Sequence, residues 1–156
     1  MIFRELHVPN PDTVRDFGDI PPDTLEALRI IEPSIYGGPL KTVGRAAYLL
    51  GNLEEADTSV AAMSSLFDMP KGIAVVTQSS KHTAWLQSLA VAPEARGAGV
   101  GSALLAHVEH LARERGFGRL GLLAIGDATI GYYEDHGCHT LSCSESSVMA
   151  ELYKDV

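Results

Sequence analysis

Apolar positions along this chain fall into short runs separated by proline, glycine and polar clusters, and the spacing inside each run distinguishes strands from helices. Phe3 to Val8 alternates as a strand and is stopped by Pro9-Asn10-Pro11-Asp12. From Pro22 onward, Leu25, Leu28 and Ile31 recur at helical spacing behind Asp23 and Glu26, predicting a helix entered through Pro21-Pro22 and closed before Pro33. Tyr36-Gly37-Gly38-Pro39 is a loop. Thr42 to about Glu55 would turn Val43, Ala46, Ala47, Leu50 and Leu53 inward as a second helix, but Gly44 and Gly51 oppose it and keep a strand in contention.

After Glu54-Glu55-Ala56-Asp57, three apolar runs follow: Thr58 to Phe67, Gly72 to Gln78 and Thr83 to Val91. Their connections, Asp68-Met69-Pro70-Lys71 and Ser79-Ser80-Lys81-His82, suit antiparallel hairpins and are too short for parallel crossovers, so a three-stranded meander is expected. A glycine-rich loop then leads into Ser102 to Arg115, with Leu104, Leu105, Val108 and Leu111 on one stripe and Gly116 as the stop. Leu120 to Ile125 is continuously apolar, as in a strand buried on both faces. Its right-handed crossover from the Trp85 strand makes the two parallel neighbours. Asp127 to Glu134 reads as a short helix capped by Asp127 and ended by Gly137, and His139 to Ser144 with Ser147 to Tyr153 as a terminal hairpin. Neither repeat nor linker interrupts the 156 residues, which predict a single domain, 1–156, with room for one core.

Composition adds exclusions. With 46% hydrophobic and 21% charged residues the chain has the balance of a folded globular protein. A net charge of -8 argues against nucleic acid as a partner, since that affinity comes from clustered Lys and Arg. Met1 to Asn10 has no long apolar run and contains Arg4 and Glu5, so neither a signal peptide nor a membrane partner is expected and the cytoplasm is the default location. Cys138 and Cys143 are too few for a disulfide framework.

Chemistry concentrates in Val91-Ala92-Pro93-Glu94-Ala95-Arg96-Gly97-Ala98-Gly99-Val100-Gly101-Ser102, where a buried strand runs into a helix. Glycines at 97, 99 and 101 let the backbone turn sharply and approach a ligand without a Cβ in the way. The helix that follows offers N–H groups without internal partners, together with the positive end of its dipole, so the stretch reads either as a pyrophosphate site or as a tight turn packed on glycine. The dipole contributes only about 0.3–1 kcal/mol per charge, so affinity would rest on direct N–H contacts. The dinucleotide spacing Gly-x-Gly-x-x-Gly is absent, and no Gly-Lys-Ser/Thr follows for a P-loop.

Arg96, Gly99 and Gly101 supply an Arg-x-x-Gly-x-Gly pattern that resembles the signature of the GNAT superfamily of N-acetyltransferases. The resemblance extends to Leu89-Ala90-Val91-Ala92-Pro93 before the loop, Ala103-Leu104-Leu105 after it, and Tyr132-Tyr133-Glu134-Asp135-His136-Gly137, which is similar to that family's Tyr-Glu-x-x-Gly-Phe segment. Cys138 stands where the family usually has Phe, and Gly126 or Asp127 where an Asn is often found. The resemblance implies an α/β (α+β) fold: a mixed, mostly antiparallel central sheet of about seven strands with a parallel pair at its centre, flanked by about four helices.

It further implies acetyl-CoA as cosubstrate, with cofactor-binding residues Leu89, Ala90, Val91, Arg96, Gly97, Ala98, Gly99, Val100, Gly101 and Ser102. Pyrophosphate would lie on the loop amides, and the pantetheine arm would pair with backbone near Leu89 and Val91, where the Trp85 and Leu120 strands splay apart. Tyr133 aligns with the family's Tyr as the catalytic acid for the leaving thiolate, with Tyr132 its rival by one position. A backbone N–H near Leu89 or Ala90 would stabilise the oxyanion. The acceptor implied is a primary amine of a small molecule, peptide or protein. The alternative is a module of this fold that binds acyl-CoA without turning it over. A homodimer is compatible with the fold, and no residue pattern decides it.

Other signals remain. A typical alkylamine, pKa about 10, must lose a proton before it attacks. Thr83 to Ala92 contains no carboxylate for this, leaving Gln87 through a water, or His82, as candidates and the base unassigned. His136, Cys138, His139 and Cys143 lack the spacing of a zinc knuckle, and no metal is expected. Trp85 and Phe67 read as wall or core, and Arg113, Arg115 and Arg119 as a solvated helix end, with a contact to the CoA 3'-phosphate as their other reading.

Overall fold

The computed structural model describes residues 1–56, 58–64, 68–146 and 148–156. Asp57, Ser65, Leu66, Phe67 and Ser147, and with them the expected wall or core role of Phe67, lie outside the described residues. Among the described residues the strands are β1 (Ile2–Glu5), β2 (Thr58–Met63), β3 (Gly72–Gln78), β4 (Thr83–Val91), β5 (Arg119–Ile125), β6 (His139–Cys143) and β7 (Met149–Asp155). The α-helices are α1 (Pro22–Tyr36), α2 (Val43–Glu55), α3 (Val100–Glu114) and α4 (Asp127–Asp135). One seven-stranded sheet runs in the order β1-β2-β3-β4-β5-β7-β6. All its ladders are antiparallel except the central β4–β5 pair, the mixed sheet the sequence predicts.

Alternation sorts the sheet residues onto two helix layers. Ala74, Val76, Ala84, Leu86, Leu120, Leu122, Ala124, Ala150 and Leu152 pack under α3, which contributes Val100, Leu104, Leu105, Val108 and Ala112. Ile73, Val75, Ala90 and Ala92 meet the opposite layer, where α1 and α2 bury Leu28, Ile31, Ala46, Leu49, Leu50 and Leu53. At roughly 1.5–3 kcal/mol for each large side chain buried, the two layers together outweigh any single polar contact in the fold. No helix among the described residues is long and apolar enough to cross a membrane.

Several expected boundaries move. α1 does not close before Pro33 but runs through it to Tyr36, where Gly37 at φ 78° donates its N–H to the Pro33 carbonyl at 3.0 Å. Pro33 forfeits only the bond to the Arg29 carbonyl, and both residues are exposed, so water can satisfy that oxygen. The 42–55 segment is helix. Thr42 caps it by accepting the Arg45 N–H at 3.1 Å, while Gly44 and Gly51 cost about 1 kcal/mol each, which the buried leucines exceed. β1 stops at Glu5, although Leu6 N–H still reaches the Ser59 carbonyl at 2.8 Å. β2 ends at Met63. Asp127 is not a cap: Gly126, at φ 89°, holds that position and no side chain caps α4.

One polar cluster fastens the far side of the sheet to α3 and α4. Lys154 on β7 binds Glu109 of α3 at 2.9 Å and donates to the His136 carbonyl at the end of α4, also at 2.9 Å. The Glu109 side chain is 10% exposed and that of Lys154 29%, so removing the lysine strands a nearly buried carboxylate. Lys154→Ala is expected to lose about 2 kcal/mol in urea unfolding, less than a fully buried pair because of the exposed lysine, and Lys154→Met with Glu109→Leu to recover part of that loss.

Candidate functional site

The central parallel ladder is short. β4 and β5 pair from Thr83↔Arg119 to Leu86↔Leu122 and then separate, β4 continuing against β3 to Val91 and β5 against β7 to Ile125. On the β3 side Val76 faces Leu86 and Val75 faces Ser88, so Gln87 is an extra, unpaired residue. A bulge of this kind bends its strand and strengthens the local twist, at the point where the ladder opens. Beyond Leu86, β4 has no strand partner on its β5 side, and its backbone there forms one wall of a cleft.

The cleft has a volume of about 570 Å³, within the range of small-molecule sites. Leu89, Ala90 and Val91 line it from β4, and Ala128, Thr129, Tyr132 and Tyr133 from α4. Ala95, Arg96, Gly97, Gly99, Val100, Gly101 and Ser102 close its end, with Ser34 from α1.

The closing loop is built for close approach. Arg96 Nε donates to the Val91 carbonyl at 3.3 Å, folding the loop back on the strand that precedes it. Gly97 and Gly99 have φ of 79° and 83°, the left-handed region that L side chains rarely adopt, and a Cβ on either would meet no atom within 4 Å. The first helical bond of α3 runs from Ala103 N–H to the Gly99 carbonyl at 3.0 Å, so the amides of Val100, Gly101 and Ser102 have no acceptor within the helix. Open space, amides without helical acceptors and a helix dipole fit a diphosphate, one of the two readings that the glycine-rich stretch leaves open.

Two tyrosines stand opposite. Their rings meet edge to face at 5.2 Å. Tyr133 is buried, and burial first, then neighbouring Tyr132 and Cys138, raises its pKa far above the ordinary tyrosine value. Its phenol therefore keeps its proton throughout the range in which proteins are stable. The Tyr132 hydroxyl is buried without a hydrogen-bond partner among the described residues, at a point 2.9 Å from where a Cβ on Gly101 would lie.

His136 joins the two walls. Its Nδ1 lies 2.6 Å from the Tyr132 carbonyl, which can only accept, so Nδ1 carries the proton. In the neutral ring Nε2 then accepts from Ser102 Oγ–H, 2.8 Å away in the first turn of α3. The imidazole also lies against the Tyr132 ring at 4.2 Å. The helix presenting the free amides and the helix presenting the phenols are thus held in one relative position.

Of the residues singled out from sequence, Leu89, Ala90, Val91, Arg96, Gly97, Gly99, Val100, Gly101, Ser102, Tyr132 and Tyr133 line this one cleft, while Ala98 is exposed on the loop outside the lining. Gln87 sits at the bulge. His82 precedes the opposite end of β4, roughly 20 Å from Leu89 at strand spacing, too far to act as a base there. Arg115 binds Thr58 and Glu5, and Arg119 binds Asp155. With Arg113 they lie about a 22 Å helix length from the glycine loop, out of reach of a ligand's phosphates. Cys138 is buried in the α3 layer and Cys143 exposed on β6. Ser34 had no sequence signal because the proline before it suggests a helix already ended. The Ser102–His136 contact spans 34 residues and has no local signature.

Residues 19–138 match the family model described as acetyltransferase (GNAT) family. No curated protein matches the sequence. Among solved structures, an aminoglycoside 6'-N-acetyltransferase complexed with coenzyme A superposes with a TM-score of 0.75 at 13% identity, covering 99% of this chain and 97% of the other. A ribosomal-protein-alanine N-acetyltransferase from Brucella melitensis gives 0.72 at 19% identity with 100% of both chains covered. A GNAT family acetyltransferase from Elizabethkingia anophelis with acetyl-CoA bound gives 0.65 at 15% identity, covering 99% and 97%. At these identities the likeness concerns the fold.

Gly101→Ala should force Tyr132 out of position and lower stability by about 1–3 kcal/mol, as overpacking does. Tyr132→Phe alone should be close to neutral, because its oxygen has no partner to lose, and adding it to Gly101→Ala should restore most of the thermal midpoint. Differential scanning fluorimetry of the three variants checks this.

Proposed function

The chain belongs to the acetyltransferase (GNAT) family, and from that premise we propose that it is an acetyl-CoA-dependent N-acetyltransferase of the cytoplasm that passes an acetyl group directly to a primary amine within a ternary complex. The observation that carries this reading is the meeting, in one cleft, of the unpaired edge of β4, the free amides at the start of α3 and a buried phenol that retains its proton. Two structural neighbours are named for amine acceptors, an aminoglycoside and the alanine of a ribosomal protein, and they support an amine here.

Each residue then has a task. The amides of Val100, Gly101 and Ser102, with the backbone at Gly97 and Gly99, hold the cosubstrate's pyrophosphate, and Arg96 braces the loop from behind. The open edge of β4 at Leu89 and Val91 pairs with the pantetheine amides as an added strand would. Acetyl-CoA supplies the acyl group as a thioester, already activated for attack. A backbone N–H of Leu89 or Ala90 faces the carbonyl oxygen where negative charge develops. Tyr133 holds at Oη the proton that the departing sulfur takes, and burial keeps it there: a neutral acid with a raised pKa is protonated at every pH below its ordinary value of about 10.

Calorimetry is expected to detect coenzyme A binding, and free thiol to appear when acetyl-CoA and a panel of primary amines are mixed with the protein. Absence of both would overturn the reading. Tyr133→Phe should lower kcat by about 100-fold, the lower end for loss of a general acid, while leaving coenzyme A affinity within a few-fold. Because the Tyr133 shift is upward, the acid is not lost as pH rises. The wild-type rate should climb as the amine deprotonates and show no falling limb up to about pH 10.

A further inference from the structure

The sheet face turned toward α1 and α2 is covered over β3 and the last part of β4 and bare beyond. On β5 and β7 the register places Leu123 beside Glu151, Ile125 beside Met149 and Gly121 beside Tyr153. Their strand neighbours Leu122, Ala124, Ala150 and Leu152 are buried on the α3 side, so these side chains point the other way. Leu123 is 49% exposed, Ile125 58% and Met149 40%, too much apolar surface for a position that packing alone would explain. Trp85 shares the face, its indole lying 2.9 Å from where a Cβ on Gly121 would stand.

One half-buried carboxylate lies in the middle of this apolar patch. Among the described residues Glu151 makes no ion pair and no side-chain hydrogen bond, whereas the patch's other acid, Asp155, is bound by Arg119 at 3.2 Å, and the Arg119 guanidinium rests on the Tyr153 ring at 4.0 Å. The register places Arg119 four residues along β5 from Leu123, on the order of 13 Å away, so it does not neutralise Glu151. Leu123 is the first β5 residue past the last β4 pair, so Glu151, one strand farther, lies about 10 Å from Leu86, where the mouth of the cleft begins.

Resting on the acetyltransferase reading above, we propose that this face is the acceptor site, that Glu151 binds the acceptor's ammonium, and that the substrate class is a primary amine carried on an apolar or aromatic body. The complementarity is of charge and surface together. A carboxylate flanked by Leu123 and Met149 meets an ammonium in a less screening environment than water, through a charge-assisted hydrogen bond. Leu123, Ile125 and Trp85 remove the body of the same molecule from solvent. The amine would then stand across the sheet from Tyr133, so acceptor and acid approach the thioester from opposite faces.

Trp85, the chain's single tryptophan, reports on this face directly. Its fluorescence, excited at its red edge, would be followed as n-hexylamine, ethanolamine or n-hexanol is titrated into the full chain with and without coenzyme A. Saturable change with n-hexylamine is expected, with ethanolamine, which lacks the apolar body, and n-hexanol, which lacks the charge, each about tenfold weaker. Glu151→Gln should weaken n-hexylamine about tenfold and leave n-hexanol unchanged. Equal affinities for the three probes, no effect of Glu151→Gln, or no saturable change would overturn the proposal. So would a dimer in sedimentation that Ile125→Glu dissociates, since a second copy would then own the face. Coenzyme A binding is measured by calorimetry on the same samples. Its absence would sink the acetyltransferase reading, whereas its presence with an unresponsive Glu151→Gln would sink only the acceptor assignment.

Discussion

The structure depends on where two parallel strands stop pairing. β4 and β5 are held together through Leu86 and Leu122 and then claimed by different partners, β4 by β3 and β5 by β7. Each strand remains fully committed on its outer edge, so the inner edges cannot close again without breaking an established ladder. The opening is therefore a consequence of topology, stabilised by the whole sheet, and it leaves main-chain donors and acceptors at its centre that an extended ligand can satisfy. The unpaired Gln87 adds a bend at the same level, directing the end of β4 toward the glycine loop.

A cleft made this way would be floppy if the two helices at its rim could move separately. They are joined at several points. Ser102 of α3 meets His136 at the end of α4, His136 binds the Tyr132 carbonyl, and Lys154 of β7 ties the His136 carbonyl to Glu109, two turns along α3 from Ser102. None of these groups needs to touch a ligand to matter. They fix the distance between the free amides and the phenol, so the dipoles that face the cleft are oriented in advance. The unpartnered Tyr132 hydroxyl against Gly101 shows how little clearance the arrangement leaves.

Much of this was legible from residue order. The alternation in β3, the continuous run in β5 and the short turns between β2, β3 and β4 predict the ladders, because strand period and connection length leave few topologies open. The glycine loop was legible because φ near 80°, as at 97 and 99, is a conformation that L side chains rarely adopt. The limit of α1 was not, since the cost of Pro33 depends on whether the Arg29 carbonyl faces water, which is a tertiary fact. Nor was the missing cap of α4: Asp127 has the right chemistry, but the turn at Gly126 places it one position inside the helix. The role proposed for Glu151 has no local signature for a related reason. That proposal rests on the register that sets it opposite Leu123, and a lone Glu in a terminal strand has no pattern of its own.

The two faces of the sheet differ in the kind of atom each exposes. Toward α3 and α4 the cleft offers main-chain amides and one neutral phenol, groups that suit a ligand whose chemistry is invariant and need little from side-chain identity. Toward the uncovered half of the other face it offers Leu123, Ile125, Met149 and Trp85 around Glu151, and all of these groups are side chains. Backbone geometry changes only if the fold changes, whereas a strand can exchange outward-pointing residues without disturbing the inward set, because alternate positions face different layers. On the proposed assignment, a donor held by backbone and an acceptor held by side chains would let such a fold alter its acceptor while the donor site stays fixed.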